Sequence, residues 1–207
     1  MISKNYKVFL PDTNDNFYKN HGKDFELDLL IIAWVDNDPD IGKIKQESAG
    51  DPEKVHPFIY KISPALAQAK VNQVNNKLNM LWTEEIYGSK NLEDYQVVLN
   101  EFRQYLATQN TTVIMVMTPS LFGSYTKTHF DTIKPRILQA GFTCLDLYGA
   151  AEKKLGHYSD AQLQANSVNK HPGDLLTEEF ANEVQAYLEQ TGYLKNLPKR
   201  ANKDHAP

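Results

Sequence analysis

The sequence predicts an α/β fold, a three-layer α/β/α sandwich around a mainly parallel sheet. Three observations carry that expectation. Residues 27–35 and 112–117 are nearly continuous apolar runs, as in strands covered on both faces, and 142–147 is a third short strand. The segments between and after them repeat apolar residues at helical spacing. The composition, 41% hydrophobic and 23% charged over 207 residues, suits one domain with a well-buried core.

Lys7 to Leu10 reads as a short strand, and Pro11 to Asn16 as a turn leading into a short helix over 13–22. Leu27 to Val35 is the clearest strand, and Pro39 ends it because proline cannot donate to a ladder. Residues 39–61, with three prolines and two glycines, read as an irregular insertion. Ser63-Pro64 is an N-cap followed by proline at the first helical position. In the helix that follows, Val71, Val74, Leu78 and Leu81 mark the inward face. A second helix over 91–108 turns Leu92, Tyr95, Leu99, Phe102 and Leu106 inward. Thr112 to Met117 is a strand, and a helix over 128–139 follows with Phe130, Ile133 and Ile137 inward. Phe142 to Leu147 is the next strand. Residues 156–174 read as a loop, and a closing helix over 176–190 buries Phe180, Val184, Tyr187 and Leu188. One domain is expected over 1–194, followed by a polar tail from Lys195.

A net charge of −4 argues against a general nucleic-acid or anionic-membrane surface, which needs a basic excess. Cys144 is the single cysteine, so neither an internal disulfide nor a cysteine-based zinc site is available. The longest apolar run, Leu29 to Val35, is far short of the roughly 20 residues a membrane-spanning helix needs. The first 25 residues contain no apolar core of a signal peptide, so the chain as written reads as cytoplasmic, with a secreted or periplasmic location the alternative if an N-terminal segment is missing.

Ligands of parallel sheets bind beyond the carboxyl ends of the strands, where 36–40, 118–124 and 156–174 are expected to converge. Taken singly, the polar residues there are ambiguous. His171 reads as a histidine bonding the backbone at the start of a helix, and Asn37 as a turn residue at a strand exit. Ser120 lies at a strand end but outside any G-x-S-x-G pattern, so it reads as a loop serine. His21, His129 and His205 sit among polar neighbours in sequence. Asp36, Asp38, Asp40 and Glu47 have the spacing of a calcium loop. However, Ile41 stands where such a loop needs glycine, and the preceding element is a strand.

The order of these segments resembles the SGNH, or GDSL, hydrolase superfamily of esterases and lipases. The resemblance runs from about Pro11 to Leu188. Leu29 to Asp38 (LLIIAWVDND) is similar to the family's third block, and the resemblance gives Asn37 the role of oxyanion donor. Residues 166–173 (NSVNKHPG) are similar to the fifth block, and the resemblance gives His171 the role of general base. It implies a serine-type acyl transfer on a small ester or an acetylated sugar, with no metal or organic cofactor.

The departures are specific. Val35 replaces the family's glycine two residues before the asparagine. The family's acid lies two or three residues before the histidine, where this chain has Asn169 and Val168. In a serine triad, Asp→Asn costs about 10⁴ in rate. The Gly-Asp-Ser block that carries the nucleophile has no counterpart, and Ser3 has no matching context. The second block's glycine is also absent between Phe9 and Asp12. The expectation from sequence is therefore an SGNH-type hydrolase, flavodoxin-like in its α/β/α layering, that is N-terminally shortened or inactive and lacks the family's first strand. The competing readings are a non-catalytic binding or accessory protein on the same fold and, on the acidic run alone, a calcium module. Oligomeric state is not encoded in these motifs.

Overall fold

Five consecutive apolar residues follow Thr112 in the strand β3 (Thr112–Met117). All five are buried in the computed structural model of the protein. The structure describes residues 8–9, 27–36, 38–109, 111–166 and 171–196. The chain is mixed α/β with a small parallel sheet. Its strands are β1 (Val8–Phe9), β2 (Leu29–Trp34), β3 and β4 (Thr143–Asp146), in the spatial order β1-β2-β3-β4. Val8 and Phe9 pair with Ile31 and Ile32, so part of the predicted 7–10 strand lies beside β2. Along β2, residues Leu29 to Trp34 pair with Thr112 to Met117; Ile114 to Met117 pair in turn with β4. The turn over 11–16 and the helix over 13–22 lie outside the described residues.

The chain forms two compact units. The first comprises residues 1–36 and 99–207 and contains the sheet. Here β2 differs from the expectation of two buried faces: Leu30, Ile32 and Trp34 are buried, whereas Leu29, Ile31 and Ala33 are only half-buried. The alternation of side chains along a strand assigns the two sets to opposite faces. Trp34 meets Phe130 of α5 (Ser124–Gln139) edge-to-face at 5.2 Å. Phe102, in the part of α4 (Ser89–Ala107) that belongs to this unit, lies 6.2 Å from Phe142. On the opposite face, Ile114 and Val116 pack with Leu147, Ala151, Leu163, Leu176, Phe180 and Leu188, and Leu29 and Ile31 border that cluster. These contacts come from α6 (Tyr148–Leu155), α7 (Asp160–Leu163) and α8 (Asp174–Gln190); α9 (Tyr193–Asn196) follows. Lys154 on α6 reaches Glu179 at 2.6 Å and Glu183 at 2.7 Å on α8, holding the two helices together by charge as well as by packing.

The second unit comprises residues 37–98. Where the sequence predicted an irregular insertion over 39–61, two short helices form, α1 (Pro52–Val55) and α2 (Pro57–Ile62). Each opens with proline, whose fixed φ suits the first helical turn. The Asp51 carboxylate accepts from the Glu53 N–H at 2.9 Å and caps α1. Ser63 caps α3 (Pro64–Ile86) as predicted, accepting from Leu66 N–H at 3.3 Å. The inward face of α3 differs from the expectation. Ala67, Val71 and Ile86 are buried, whereas Val74 and Leu81 are exposed. The apolar arc of this helix is wider than the surface it packs against. Asn91 joins α3 to the start of α4 by donating to the carbonyls of Ile86 at 2.7 Å and Pro39 at 2.8 Å.

Candidate active site at the carboxyl edge of the sheet

Backbone bonds set the exits of β2, β3 and β4 side by side. The Thr118 N–H and hydroxyl both donate to the Trp34 carbonyl, at 2.9 and 3.0 Å. The Leu147 N–H donates to the Met117 carbonyl at 3.1 Å. Asp36 leaves this edge two residues beyond β2. Burial holds its carboxyl above the usual carboxylate range, while a hydrogen bond from its own backbone and the nearby charge of His171 pull it back down. Asp36 and His171 are thus within electrostatic reach of each other.

Backbone bonds tie the His171 segment to the end of α7. The Ala165 N–H donates to the His171 carbonyl at 2.9 Å, and the Gly173 N–H donates to the Leu163 carbonyl at 2.7 Å. Gln164 and Pro172 form an isolated antiparallel bridge between these two bonds. A Cβ on residue 173 would lie 2.7 Å from the Gln164 carbonyl oxygen, so glycine is required by close approach, not by an unusual φ. The Thr177 hydroxyl, in the first turn of α8, donates to the Gly173 carbonyl at 2.8 Å. His171 is therefore held through its own carbonyl and through the Gly173 N–H two residues on, and its side chain is exposed. Asn37 and Asn169, with Val168, lie outside the described residues.

The β3 exit loop is held from below. The Tyr148 hydroxyl accepts from the Gly123 N–H at 2.7 Å and lies 3.1 Å from the Gly123 carbonyl, and Phe122 packs edge-to-face on the Tyr148 ring at 5.8 Å. Gly123 has φ +150, a conformation L side chains avoid, and α5 begins at the next residue. Ser120 in this loop is half-buried, and Ser124 at the first position of α5 is exposed.

Other candidates fall away on chemistry. The Cys144 thiol is pushed up to about 11, first by burial and then by Asp146, so it is not a thiolate near neutrality. Among the described residues, no group of three or more His, Cys, Asp or Glu side chains converges to hold a metal. Asp40 instead accepts from the Gly42 N–H at 2.9 Å in a local turn. In the second unit, a groove of about 660 Å³ is lined by Lys43, Ile44, Lys90 and Asp94 among others, and Lys43 pairs with Asp94 at 2.8 Å across it. His129 is not the polar-surface residue its neighbours suggested. It is buried on α5 against the Tyr125 ring, with ring centroids 4.2 Å apart.

Asp36 is the functional candidate that sequence reasoning underused. The sequence places 36–40 at this edge but gives Asp36 a role only in the acidic run, because nothing local pairs it with His171. No helix among the described residues is long and apolar enough to cross a membrane. Comparison with family models, with curated proteins and with solved structures finds no match to this chain.

Proposed function

We propose that this edge is an ester-hydrolase-type site of the SGNH kind, on a three-layer α/β/α scaffold. The observation that supports the reading is that Asp36, two residues beyond β2 at the carboxyl end of a parallel sheet, lies within electrostatic reach of His171. In this reading His171 takes a proton from an attacking hydroxyl and later gives it to the leaving alcohol. Asn37 donates to the tetrahedral oxyanion. Asp36 supplies a negative charge near the imidazolium, offsetting the neutral Asn169 at the position of the family's acid. The substrate is a small acyl ester or an acetylated sugar, and the chemistry uses no metal or organic cofactor.

A second reading, binding of an acyl ester without turnover on the same scaffold, is favoured by the absence of a Gly-Asp-Ser sequence among the 207 residues. The two separate in one experiment. Hydrolysis of p-nitrophenyl acetate is measured for the wild type, His171→Ala and Ser120→Ala. Loss of a general base is expected to lower the rate by about 10²–10⁴-fold. Equal rates for wild type and His171→Ala would remove His171 as the base. If the wild type does not exceed the uncatalysed rate, the binding reading stands in place of hydrolysis.

A further inference from the structure

The second unit exposes an apolar face with a distinctive charge. Phe58 and Ile62, one helical turn apart on α2, are 84% and 85% exposed. Leu66, Val74 and Leu81 are exposed on α3, and Lys70 and Lys77 lie between them at helical spacing, so these five share one side of that helix. The buried side of α3, with Ala67 and Val71, is a different one. Lys61, next to Ile62 in the chain, is exposed, and so is Lys54 on α1. From Lys54 to Thr83 the chain has four lysines and no aspartate or glutamate, although its net charge is −4. The acidic balance of the whole chain therefore conceals a basic, apolar face on one unit.

We propose that the α2–α3 face docks on an anionic lipid bilayer. Phe58 and Ile62 enter the boundary between headgroups and acyl chains, as the apolar face of an interfacial helix does. Lys61, Lys70 and Lys77 lay their alkyl stems along the apolar stripe and hold their ammonium groups against lipid phosphates. Charge complementarity selects this occupant. A stripe that alternates lysine with leucine and valine, without an acid, repels a second copy of itself. It also lacks the carboxylates that would order it against water. The bilayer supplies both the negative surface and the apolar interior.

The test is co-sedimentation of the full chain with vesicles of phosphatidylcholine, alone or with a third of the lipid replaced by phosphatidylglycerol. Binding is expected only to the anionic vesicles at about 0.1 M salt and is released as added salt shortens the Debye length. Each lysine changed to glutamine lowers partitioning by about fivefold, so Lys61→Gln/Lys70→Gln/Lys77→Gln loses about a hundredfold. Phe58→Ser/Ile62→Ser loses about tenfold or more. These side chains are exposed, so the variants are expected to melt like the wild type. In a Phe58→Trp variant, indole emission shifts to the blue when anionic vesicles are added. The proposal is overturned if the full chain stays in the supernatant with anionic vesicles. It is also overturned if Phe58→Ser/Ile62→Ser binds as the wild type does, or if the indole emission does not move. A dimer formed without lipid and dispersed by Phe58→Ser/Ile62→Ser would assign the face to a second copy instead.

Discussion

Acidification from about pH 7.5 to about pH 4.5 is expected to cost the fold up to about 2.5 kcal/mol through the single side chain of His129. The residue is 5% exposed, and burial holds its imidazole down at about 4, from 6.5. The sign follows from proton binding. Above 6.5 both folded and unfolded chains carry a neutral imidazole, and the contribution is fully present. Between 6.5 and about 4 the unfolded chain takes a proton that the folded one refuses, so stability falls as the pH drops. Each unit of that window is worth about 1.36 kcal/mol. The figure is an upper one because Tyr125, which covers the ring, is itself exposed, and water near the imidazole softens the penalty. The assay is urea unfolding of the wild type and of His129→Leu at both pH values. Carboxylates elsewhere titrate alike in both proteins, so they cancel in the difference. Between the two pH values, the leucine variant is expected to gain on the wild type by up to that amount. If both chains lose stability in parallel, burial is not what depresses this group.

Gly173→Ala is expected to destabilise by about 1–3 kcal/mol in urea, because the added Cβ overlaps the Gln164 carbonyl and the chain must shift. A neutral result would show that the close approach yields at no cost. Tyr148→Phe is expected to cost about 0.5–1.5 kcal/mol and to speed amide exchange at Gly123, whose N–H loses its acceptor. Asp36→Asn is expected to raise the melting temperature at neutral pH. The wild-type carboxyl has a folded pKa raised by burial, so its contribution is present in acid and lost as the pH rises through that value. The advantage of the asparagine therefore disappears below about pH 4, and an advantage that persists there would refute the account.

Where one stripe of residues meets one partner, the sequence was a good guide. In α4, Leu92, Tyr95, Leu99, Phe102 and Leu106 are all buried as their spacing predicted, and so are Phe130, Ile133 and Ile137 in α5. His129 differs from its reading because Thr128 before it and Asp131 two residues on are polar, whereas Phe130 and Ile133, next to it and four residues on, are buried. Val74 and Leu81 were misplaced for the opposite reason. Periodicity locates an apolar arc but not the width of the surface that covers it. The helix α6 left little trace because its start depends on the Asp146 carboxylate, which accepts from the Tyr148 N–H at 3.1 Å, and not on a serine or threonine cap. At the site, sequence order alone brought 166–173 towards the strand ends. The approach of Asp36 to His171 depends on how two segments 135 positions apart cross in space, and no local pattern encodes that.

The two faces of the sheet also differ in when they are completed. Phe130, which meets Trp34 on one face, precedes β4 in the chain, so that contact is available by the time β4 is made. The buried residues that pack with Ile114 and Val116 lie between Leu147 and Leu188, later than β4, while Leu121 and Phe122 border the cluster from before it. At a synthesis rate of about 5–20 residues per second, that face stays bare for several seconds on the ribosome. A released chain that ends just after Asp146 would display it, and one that extends past Leu188 would not. The earlier intermediate is the one a chaperone would hold.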